Sequence, residues 1–252
     1  ADGEVQLSST SNGGKIAGSQ EGINFLYYTM DMDCDFILSA QAQMNTWVSA
    51  NQIGYGVMVR AAVGTHDNTA EANPINSAFV GGTVQSGKAA AGSYRTSKRG
   101  NIGDGIASAQ GETYDLMIQK VGDKLYLWRE GELIKEGAAS EILIGSNIYA
   151  GVFTSRAAAV TFKNVKLNYE KTADAAAATV GAVTNPAKMT YCQGNSYQDI
   201  DLSGFKAEVT VGGQTKEISA ADCRLVSFDF STIGDDTGKI VLDYFGHEIT
   251  IS

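Results

Sequence analysis

Two alternating stretches, Thr113–Val121 (TYDLMIQKV) and Lys124–Arg129 (KLYLWR), flank Gly122-Asp123 and decide the fold class of this chain. Alternating apolar and polar residues are typical of strands with one buried face, and a Gly-Asp step between two such runs predicts a β-hairpin. Leu125 and Leu127 share one face of the second strand, which we expect to pack in the core. Tyr126 and Trp128 share the other face.

Further strand signals lie on both sides of this hairpin, separated by turn residues at intervals of about 8–12 residues. They are Ile23–Met30, Phe36–Met44, Tyr55–Val63, Ser77–Val84, Leu133–Glu136, Asn147–Thr154 and Ala159–Tyr169. No amphipathic helical pattern intervenes, which favours an all-β sandwich over a βαβ fold. Gly81-Gly82 lies inside a strand signal and predicts a bulge or a close backbone approach.

The composition changes at residues 171–186 (KTADAAAATVGAVTNP), which are rich in Ala, Thr and Gly and contain no aromatic residue. We predict a first domain at residues 1–170, a linker at 171–184 and a second domain at 185–252. Strand signals return in the second domain from Val209 to Val211, and at Thr215–Ile218, Arg224–Phe228, Lys239–Tyr244 and Glu248–Ile251. Its size is that of a small sandwich.

The overall composition disfavours nucleic acid and membranes as partners. The chain of 252 residues has 29 Gly, 11 Tyr and only 2 Pro, and its formal net charge is −9. Nucleic acid and anionic membranes reward Lys and Arg, so this charge disfavours both as partners. No apolar run reaches the ~18 residues of a membrane span. No basic-then-apolar leader opens the chain, so we expect it to begin after any signal peptide or to be an excised piece.

The cysteines do not indicate whether the protein works in an oxidising or a reducing compartment. The three cysteines, Cys34, Cys192 and Cys223, are odd in number and lack metal-ligand spacing. Cys192 and Cys223 either pair or remain thiols on separate strands.

The residues needed for catalysis are missing, so we expect no enzymatic activity. The only histidines, His66 and His247, belong to different predicted domains and lie near no nucleophile pattern. Acidic turns occur at Asp31, Asp33 and Asp35, and at 235–236. Such turns are solvated or hold Ca²⁺, which prefers several oxygen ligands. We therefore assign no cofactor with certainty, and a bound Ca²⁺ ion remains an open alternative.

Several segments of the first domain resemble a known family. They are Gly14–Ser19, Glu21–Phe25, Tyr27–Thr29, Asp35–Ala40, Asn51–Arg60, Tyr149–Phe153 and Val160–Val165. Together they resemble, over about residues 13–170, the concanavalin- or laminin-G-like jelly-roll β-sandwich that accompanies catalytic domains in bacterial pectate lyases. The resemblance implies a jelly-roll fold and an accessory role. Arg60-Ala61 stands where that family often has Arg-Asp, so no role of that acidic residue is carried over.

The second domain is similar to bacterial Ig-like domains. The similarity rests on Pro186, Tyr191–Gly194, Asp201–Phe205, Val211–Gly213, Ile218–Cys223, Gly238 and Val241–Tyr244. It implies a small Ig-like β-sandwich that acts as a spacer or surface-display unit.

The electrostatic pattern and the aromatic residues suggest where a sugar would bind. Residues 72–103 contain no acidic side chain but include Lys88, Arg95, Lys98 and Arg99. Sugar rings need flat apolar faces with hydrogen-bonding groups nearby, and an acidic sugar calls for Arg or Lys. The candidate binding residues are Trp47, Arg60, Tyr94, Arg95, Lys98 and Arg99.

Each candidate has a structural alternative that the sequence leaves open. The basic stretch would otherwise be a solvated loop, Arg60 an outward arginine paired with an acid, and Trp47 a core residue. We expect Arg60 to share a strand face with Gly54, Gly56 and Met58, where glycines would let a chain-like ligand approach the backbone. Tyr55, Val57 and Val59 should then face inward.

The sequence therefore predicts a non-catalytic carbohydrate-binding accessory region of a secreted or cell-surface bacterial polysaccharide-degrading protein. Its expected partners are a pectic or other plant cell-wall glycan and a catalytic domain in the same parent chain. The alternative is a structural spacer or adhesin-like display unit with no glycan ligand. An autonomous lyase or hydrolase is the third hypothesis, disfavoured by the missing catalytic groups.

Overall fold

The protein is all-β apart from one short α-helix and three single-turn 3₁₀ helices within the residues that the structure describes. The structure is a computed structural model, and it describes residues 3–9, 22–48, 52–63, 76–85, 88–95, 99–104, 106–232 and 238–252. The all-β prediction is confirmed. No helix in these ranges is long and apolar enough to cross a membrane.

The chain divides into two compact units. The first comprises Ala1–Cys34 and Leu38–Leu167, and the second comprises Asp35–Ile37 and Asn168–Ser252. The strands up to residue 171 are β1 (Val5–Ser8), β2 (Ile23–Asp31), β3 (Cys34–Thr46), β4 (Gly54–Arg60), β5 (Ser77–Gln85), β6 (Lys88–Arg95), β7 (Arg99–Asp104), β8 (Thr113–Val121), β9 (Lys124–Arg129), β10 (Glu132–Ala138), β11 (Asn147–Ser155) and β12 (Ala159–Lys171).

These twelve strands form two six-stranded sheets. The first sheet has the order β1-β12-β3-β8-β9-β10, and the second has the order β2-β11-β4-β5-β6-β7. Strands β8 and β9 of the first sheet lie against β4 and β5 of the second, so the sheets pack as a sandwich. The predicted hairpin is β8-β9, in which Val121 pairs with Lys124. Gly122 opens the turn at a φ of +55°, a conformation that glycine adopts without steric cost.

The core between the sheets follows the predicted alternation. Leu125 and Leu127 are fully buried, whereas Tyr126 and Trp128 are half-buried on the other face of β9. Tyr55, Val57 and Val59 of β4 are fully buried. The other face of β4 is also covered, because Met58 is fully buried and packs with Phe79 and Phe153 in a second apolar cluster.

The glycines of β4 and β5 serve strand packing. Gly56 has a φ of +145° and Gly81 a φ of +153°. A methyl group on Gly56 would overlap the carbonyl oxygen of Val80, and one on Gly81 would overlap that of Tyr55. The predicted close backbone approach and bulge at Gly81-Gly82 are confirmed by a register shift between Val80 and Thr83. Gly56 therefore allows the neighbouring strand to approach closely, and it is itself buried rather than open to a ligand.

The segment at residues 171–184 is structured, although we predicted a linker there. It contains the end of β12, helix α1 (Thr172–Ala176) and strand β13 (Thr179–Thr184). Val180 of β13 pairs with Val209 in the second unit. The small residues Ala175 and Ala178 are buried, so the alanine-rich composition reflects close packing rather than a solvated tether.

The second unit contains two three-stranded antiparallel sheets within its described residues. Their orders are β13-β14-β15 and β16-β17-β18, with β14 (Lys206–Val211), β15 (Gln214–Ser219), β16 (Arg224–Asp229), β17 (Lys239–Tyr244) and β18 (His247–Ile251). These strands confirm the strand signals of the sequence. Phe205, Val209, Leu242 and Ile249 lie in the core.

Side-chain caps on the turns of this second unit make its stability depend on pH. Ser196 donates to Asp199 through its backbone N–H and its hydroxyl, and these bonds hold the pKa of Asp199 below its usual 3.8. Hydrogen bonds from Ser203 and Ser231 lower the pKa of Asp201 and of Asp229 in the same way.

Acid should therefore destabilise the second unit. A carboxyl group whose folded pKa is depressed stabilises the fold above its unfolded pKa, and this contribution is lost as the pH falls through the folded pKa. We expect the thermal midpoint to fall as the pH drops below about 4. D199N should make this fall shallower, whereas E248Q, at an exposed position on β18, should not. Equal pH profiles for wild type and D199N, recorded by circular dichroism, would contradict the proposed cap.

Candidate functional site

The candidate site lies on the face of the second sheet that is turned away from the first sheet. Tyr55 and Arg60 are five residues apart on β4, so their side chains point to opposite faces. Tyr55 contacts Tyr114 of β8 in the first sheet, with ring centroids 6.4 Å apart. Arg60 therefore lies on the outward face, together with Met58.

Strand register places three of the predicted binding positions in one row across this sheet. Arg60 of β4 pairs with Tyr149 of β11 on one side and with Ser77 of β5 on the other. Ser77 pairs with Arg95 of β6, and Arg95 pairs with Arg99 of β7. We call these five positions the arginine row. It crosses four strand spacings of about 4.8 Å, or about 19 Å in total.

An aromatic cluster of Phe25, Tyr27 and Tyr149 adjoins one end of the arginine row. The rings of Phe25 and Tyr27 stack with centroids 5.1 Å apart, and Tyr149 meets Tyr27 edge-on at 5.5 Å. Tyr27 is 44% exposed, whereas Phe25 and Tyr149 are half-buried. In the sequence these residues fall within the segments that resemble a family, and no sequence pattern marks them as a binding site. Strand β2 comes beside β11 only in the folded sheet, so the aromatic spacing along the chain gave no signal.

Arg60 is far less accessible than predicted. Its residue is 3% exposed, and its guanidinium carbon lies 5.9 Å from the centre of the Phe25 ring. A cation over an aromatic face is stabilised by the ring quadrupole. Arg60 thus supports the aromatic cluster from beneath, and direct contact with a ligand would require neighbouring side chains to move.

Ser77 is a member of the row that the sequence analysis missed. Its residue is fully buried, and its hydroxyl has no hydrogen-bond partner among the described residues. Sequence gave no signal for it, because serine is common at strand ends and its position between two arginines depends on register.

The structure separates two other predicted residues from the row. Tyr94 pairs with Ala78, one residue out of step with the row of Arg60 and Ser77. Trp47 is half-buried against Ile53, Val84 and Ala158. Its ring meets Tyr55 edge-on at 5.4 Å, on the side of the sheet that faces inward. Trp47 thus lies half-buried beside an apolar cluster, away from the arginine row. Lys98 lies outside the described residues.

Arg129 is a buried cation that the sequence analysis treated only as a strand end. It is 2% exposed and lies on the same inward face of β9 as Leu125 and Leu127. Its guanidinium donates from Nη1 to the carbonyl oxygen of Gly81 at 2.9 Å, and from Nη2 to that of Ala107 at 3.1 Å. It also lies 4.1 Å from the centre of the Tyr114 ring. Arg129 therefore links the two sheets through hydrogen bonds, which indicates a structural role.

A buried phenol lies next to this arginine. Tyr55 is fully buried, and its hydroxyl shares a 2.8 Å hydrogen bond with Ser108. Burial raises the pKa of Tyr55 well above its ordinary value, which outweighs the opposing effect of Arg129. The phenol therefore stays neutral and serves the packing.

The acidic turns do not assemble into a metal centre among the described residues, where no group of three or more His, Cys, Asp or Glu could hold an ion. Asp35 is buried and accepts a 2.8 Å hydrogen bond from Thr172 within the second unit. Residues 235–236 and His66 lie outside the described ranges. His247 donates from Nε2 to the carbonyl of Ala175 at 2.9 Å. Cys192 and Cys223 do not form a disulfide; the first is exposed and the second buried.

The fold and this outward face define a β-sandwich protein with arginine and aromatic residues on one sheet. The family model of the pectate disaccharide-lyase N-terminal domain matches residues 2–172, and the chain belongs to this family. The predicted relation of the first domain to pectate lyases is confirmed at the level of this family. Pectate lyase L of Thermoclostridium stercorarium is 27% identical over 239 residues, which are 94% of this chain and 18% of that protein. The chain thus spans less than a fifth of its relative.

Solved structures resemble the chain only loosely. A functionally unknown protein from Saccharomyces cerevisiae has a TM-score of 0.49 and 13% identity, covering 68% of this chain and 90% of its own. The carbohydrate-binding module CBM66 from Bacillus subtilis has a TM-score of 0.32 and 14% identity, covering 67% of this chain and 83% of its own.

Proposed function

We propose that this chain is a non-catalytic carbohydrate-binding accessory region of a secreted bacterial polysaccharide-degrading protein, and that it binds a pectic or other plant cell-wall glycan. Membership of the pectate disaccharide-lyase N-terminal domain family supports the link to pectin. The chain matches only 18% of the pectate lyase relative, which leaves room for a catalytic domain elsewhere in the parent protein. That domain is the proposed partner in the same chain.

The observation that carries the proposal is the exposed ring of Tyr27 next to the arginine row. A sugar ring stacks its apolar face on an aromatic ring, and Tyr27 is 44% exposed and held in place by Phe25 and Tyr149. A preorganised ring loses little conformational entropy on binding. The aromatic cluster is therefore suited to stacking against a sugar ring.

The charge of the row suits an acidic glycan. Arg95 and Arg99 are paired positions on β6 and β7, within the stretch of residues 72–103 that contains no acidic side chain. A guanidinium can hold a carboxylate through two parallel hydrogen bonds. We propose that these arginines recognise the uronic acids of pectin, on a protein whose net charge of −9 would otherwise repel them.

Affinity gels and calorimetry with the purified chain test this function. We expect binding to polygalacturonate, weaker binding to highly methyl-esterified pectin, and the weakest binding to neutral cell-wall polysaccharides, because esterification removes the negative charge. Binding to none of these glycans would refute the carbohydrate-binding role. Stronger binding to a neutral glycan would refute the pectic assignment alone.

Replacing Tyr27 by alanine should weaken binding to every glycan that the chain recognises. Removing an exposed aromatic contact residue costs about 1–2 kcal/mol, or about a five- to thirtyfold loss of affinity. Tyr28 is the matched control, because it is 51% exposed and lies next in the same strand but on the opposite side. Equal losses in Y27A and Y28A by calorimetry would show that the outward face is not the site.

The purified chain should not depolymerise polygalacturonate, with or without calcium. Among the described residues, His247 and Asp35 are engaged in hydrogen bonds with Ala175 and Thr172. The measurement is the absorbance of unsaturated uronides during prolonged incubation. An increase in a sample purified free of other lyases would defeat the non-catalytic assignment.

A structural role is the second candidate, and the burial of Arg60 favours it. An arginine that is 3% exposed beneath Phe25 stabilises the sheet whether or not a ligand binds. In this alternative the first unit is a spacer or adhesin-like display unit. For the second unit we propose a bacterial Ig-like spacer, supported by its small antiparallel sheets. The glycan-binding measurements above separate the two candidates for the first unit.

A further inference from the structure

The buried hydroxyl of Ser77 is an unsatisfied polar group at the centre of the arginine row. Its residue has no exposed surface, and its Oγ has no hydrogen-bond partner among the described residues. Most buried polar side-chain atoms in folded proteins have a partner, and leaving one without a partner is unfavourable. The hydroxyl of Ser77 is therefore able to donate to a partner that arrives from outside.

The neighbours of Ser77 indicate the charge of that partner. Arg60 lies directly opposite Ser77 on β4, and Arg95 lies opposite it on β6. Residues directly opposite each other are the closest neighbours across a sheet. The next row contains Met58 and Phe79, both fully buried. An anion bonded to Ser77 would therefore lie beside Arg60 in a buried environment, where electrostatic attraction is stronger than in water.

We propose that Ser77 forms a subsite for the carboxylate of an acidic sugar, in which its hydroxyl donates to a carboxylate oxygen and the adjacent Arg60 supplies positive charge. This subsite rests on the proposed glycan-binding function and assigns the recognition of the acidic group to one residue. Ser77 and Arg60 are almost inaccessible at rest, so neighbouring side chains move before the carboxylate enters. Association is consequently slower than for an open surface site.

The test compares S77A with wild type in calorimetric titrations with tetragalacturonate and with its fully methyl-esterified form. We expect S77A to lose about tenfold in affinity for the acid, the effect of one charge-assisted hydrogen bond, and to change less than twofold for the ester. Without ligand, the thermal midpoint of S77A should equal or exceed that of wild type, because the variant removes an unsatisfied group.

T154V is the matched control. Thr154 is also fully buried, and its hydroxyl also has no partner among the described residues, but it pairs with Tyr55 and so lies on the inward face. T154V should bind tetragalacturonate like wild type. If S77A is poorly folded, S77C keeps the size of the side chain with a weaker donor and should show the same selective loss.

The outcomes separate this subsite from the proposed function. Wild-type binding that persists unchanged in S77A and S77C overturns the subsite and leaves the glycan-binding function standing. Equal losses for acid and ester, or an equal loss in T154V, also overturn it, because the effect would then not concern the carboxylate. Wild type that binds neither oligosaccharide overturns the subsite together with the pectic assignment, whereas binding to a neutral cell-wall polysaccharide would still support a carbohydrate-binding role.

Discussion

Replacing Arg129 by methionine should lower the free energy of unfolding of the first unit by about 2–4 kcal/mol. The variant leaves the carbonyl oxygens of Gly81 and Ala107 without their donors inside the protein, and each unsatisfied group costs about 1–3 kcal/mol. The contact between the guanidinium and Tyr114 is lost as well. Methionine carries no charge, so the variant also avoids the free-energy cost of desolvating a buried cation. This gain offsets part of the loss and keeps the net destabilisation below the sum of the lost contacts.

Denaturant unfolding followed by tryptophan fluorescence measures this loss. K124M on the same strand is the control, because Lys124 is largely exposed and its ion pair with Glu136 spans 3.9 Å. We expect K124M to change stability by less than about 0.5 kcal/mol. R129K should also be destabilised, since an ammonium group cannot reproduce the planar fork of the guanidinium. Stability of R129M within the range of K124M would show that Arg129 does not join the sheets as described.

Replacing both Arg95 and Arg99 by alanine should weaken binding to polygalacturonate by about 1–3 kcal/mol, or about five- to 150-fold. These positions are paired on β6 and β7 at the end of the arginine row. Charge-assisted hydrogen bonds that are only partly desolvated have this strength. Binding by wild type should also weaken as salt rises, because exposed charges are screened beyond about 8 Å at physiological ionic strength.

K88A is the matched control for the double variant. Lys88 is exposed on the same strand as Arg95 but pairs with Gln85, far from the row along the strand. Its loss should reduce the affinity less than twofold, and fold stability should barely move in either variant. An unchanged affinity of the double variant would make the basic stretch a solvated face. Salt-insensitive binding to a neutral glycan would move the site to the aromatic cluster, with Tyr27 tested first.

The sequence was informative wherever a local pattern controls structure. The alternation in Lys124–Arg129 and the Gly122-Asp123 step predicted the hairpin, because side-chain direction and turn conformation depend on neighbouring residues alone. The alanine-rich segment misled for a related reason. A run of small residues without an aromatic residue is typical of a solvated linker, yet Ala175 and Ala178 are buried, and the carbonyl of Ala175 accepts a hydrogen bond from the distant His247.

The candidate site shows the same division between features that follow from local sequence and features that depend on distant contacts. The acid-free stretch with Arg95 and Arg99 was visible as a charge pattern, and Arg60 was placed on the correct face of its strand. Composition could not reveal that Phe25, Tyr27 and Tyr149 meet beside Arg60, since they come from strands far apart in the chain. It also could not distinguish an exposed Trp47 from one packed against Ile53.

By itself the sequence determined the all-β class, the hairpin, the inward faces of its strands and the basic stretch, because these depend on residue type and spacing over a few positions. Only the tertiary structure decided the register that aligns Arg60, Ser77, Arg95 and Arg99, and the burial of Arg129 between the sheets. The physical reason is that register and burial are set by contacts between strands that are remote in sequence. A shift of one residue in any strand would place its members of the row on the opposite face.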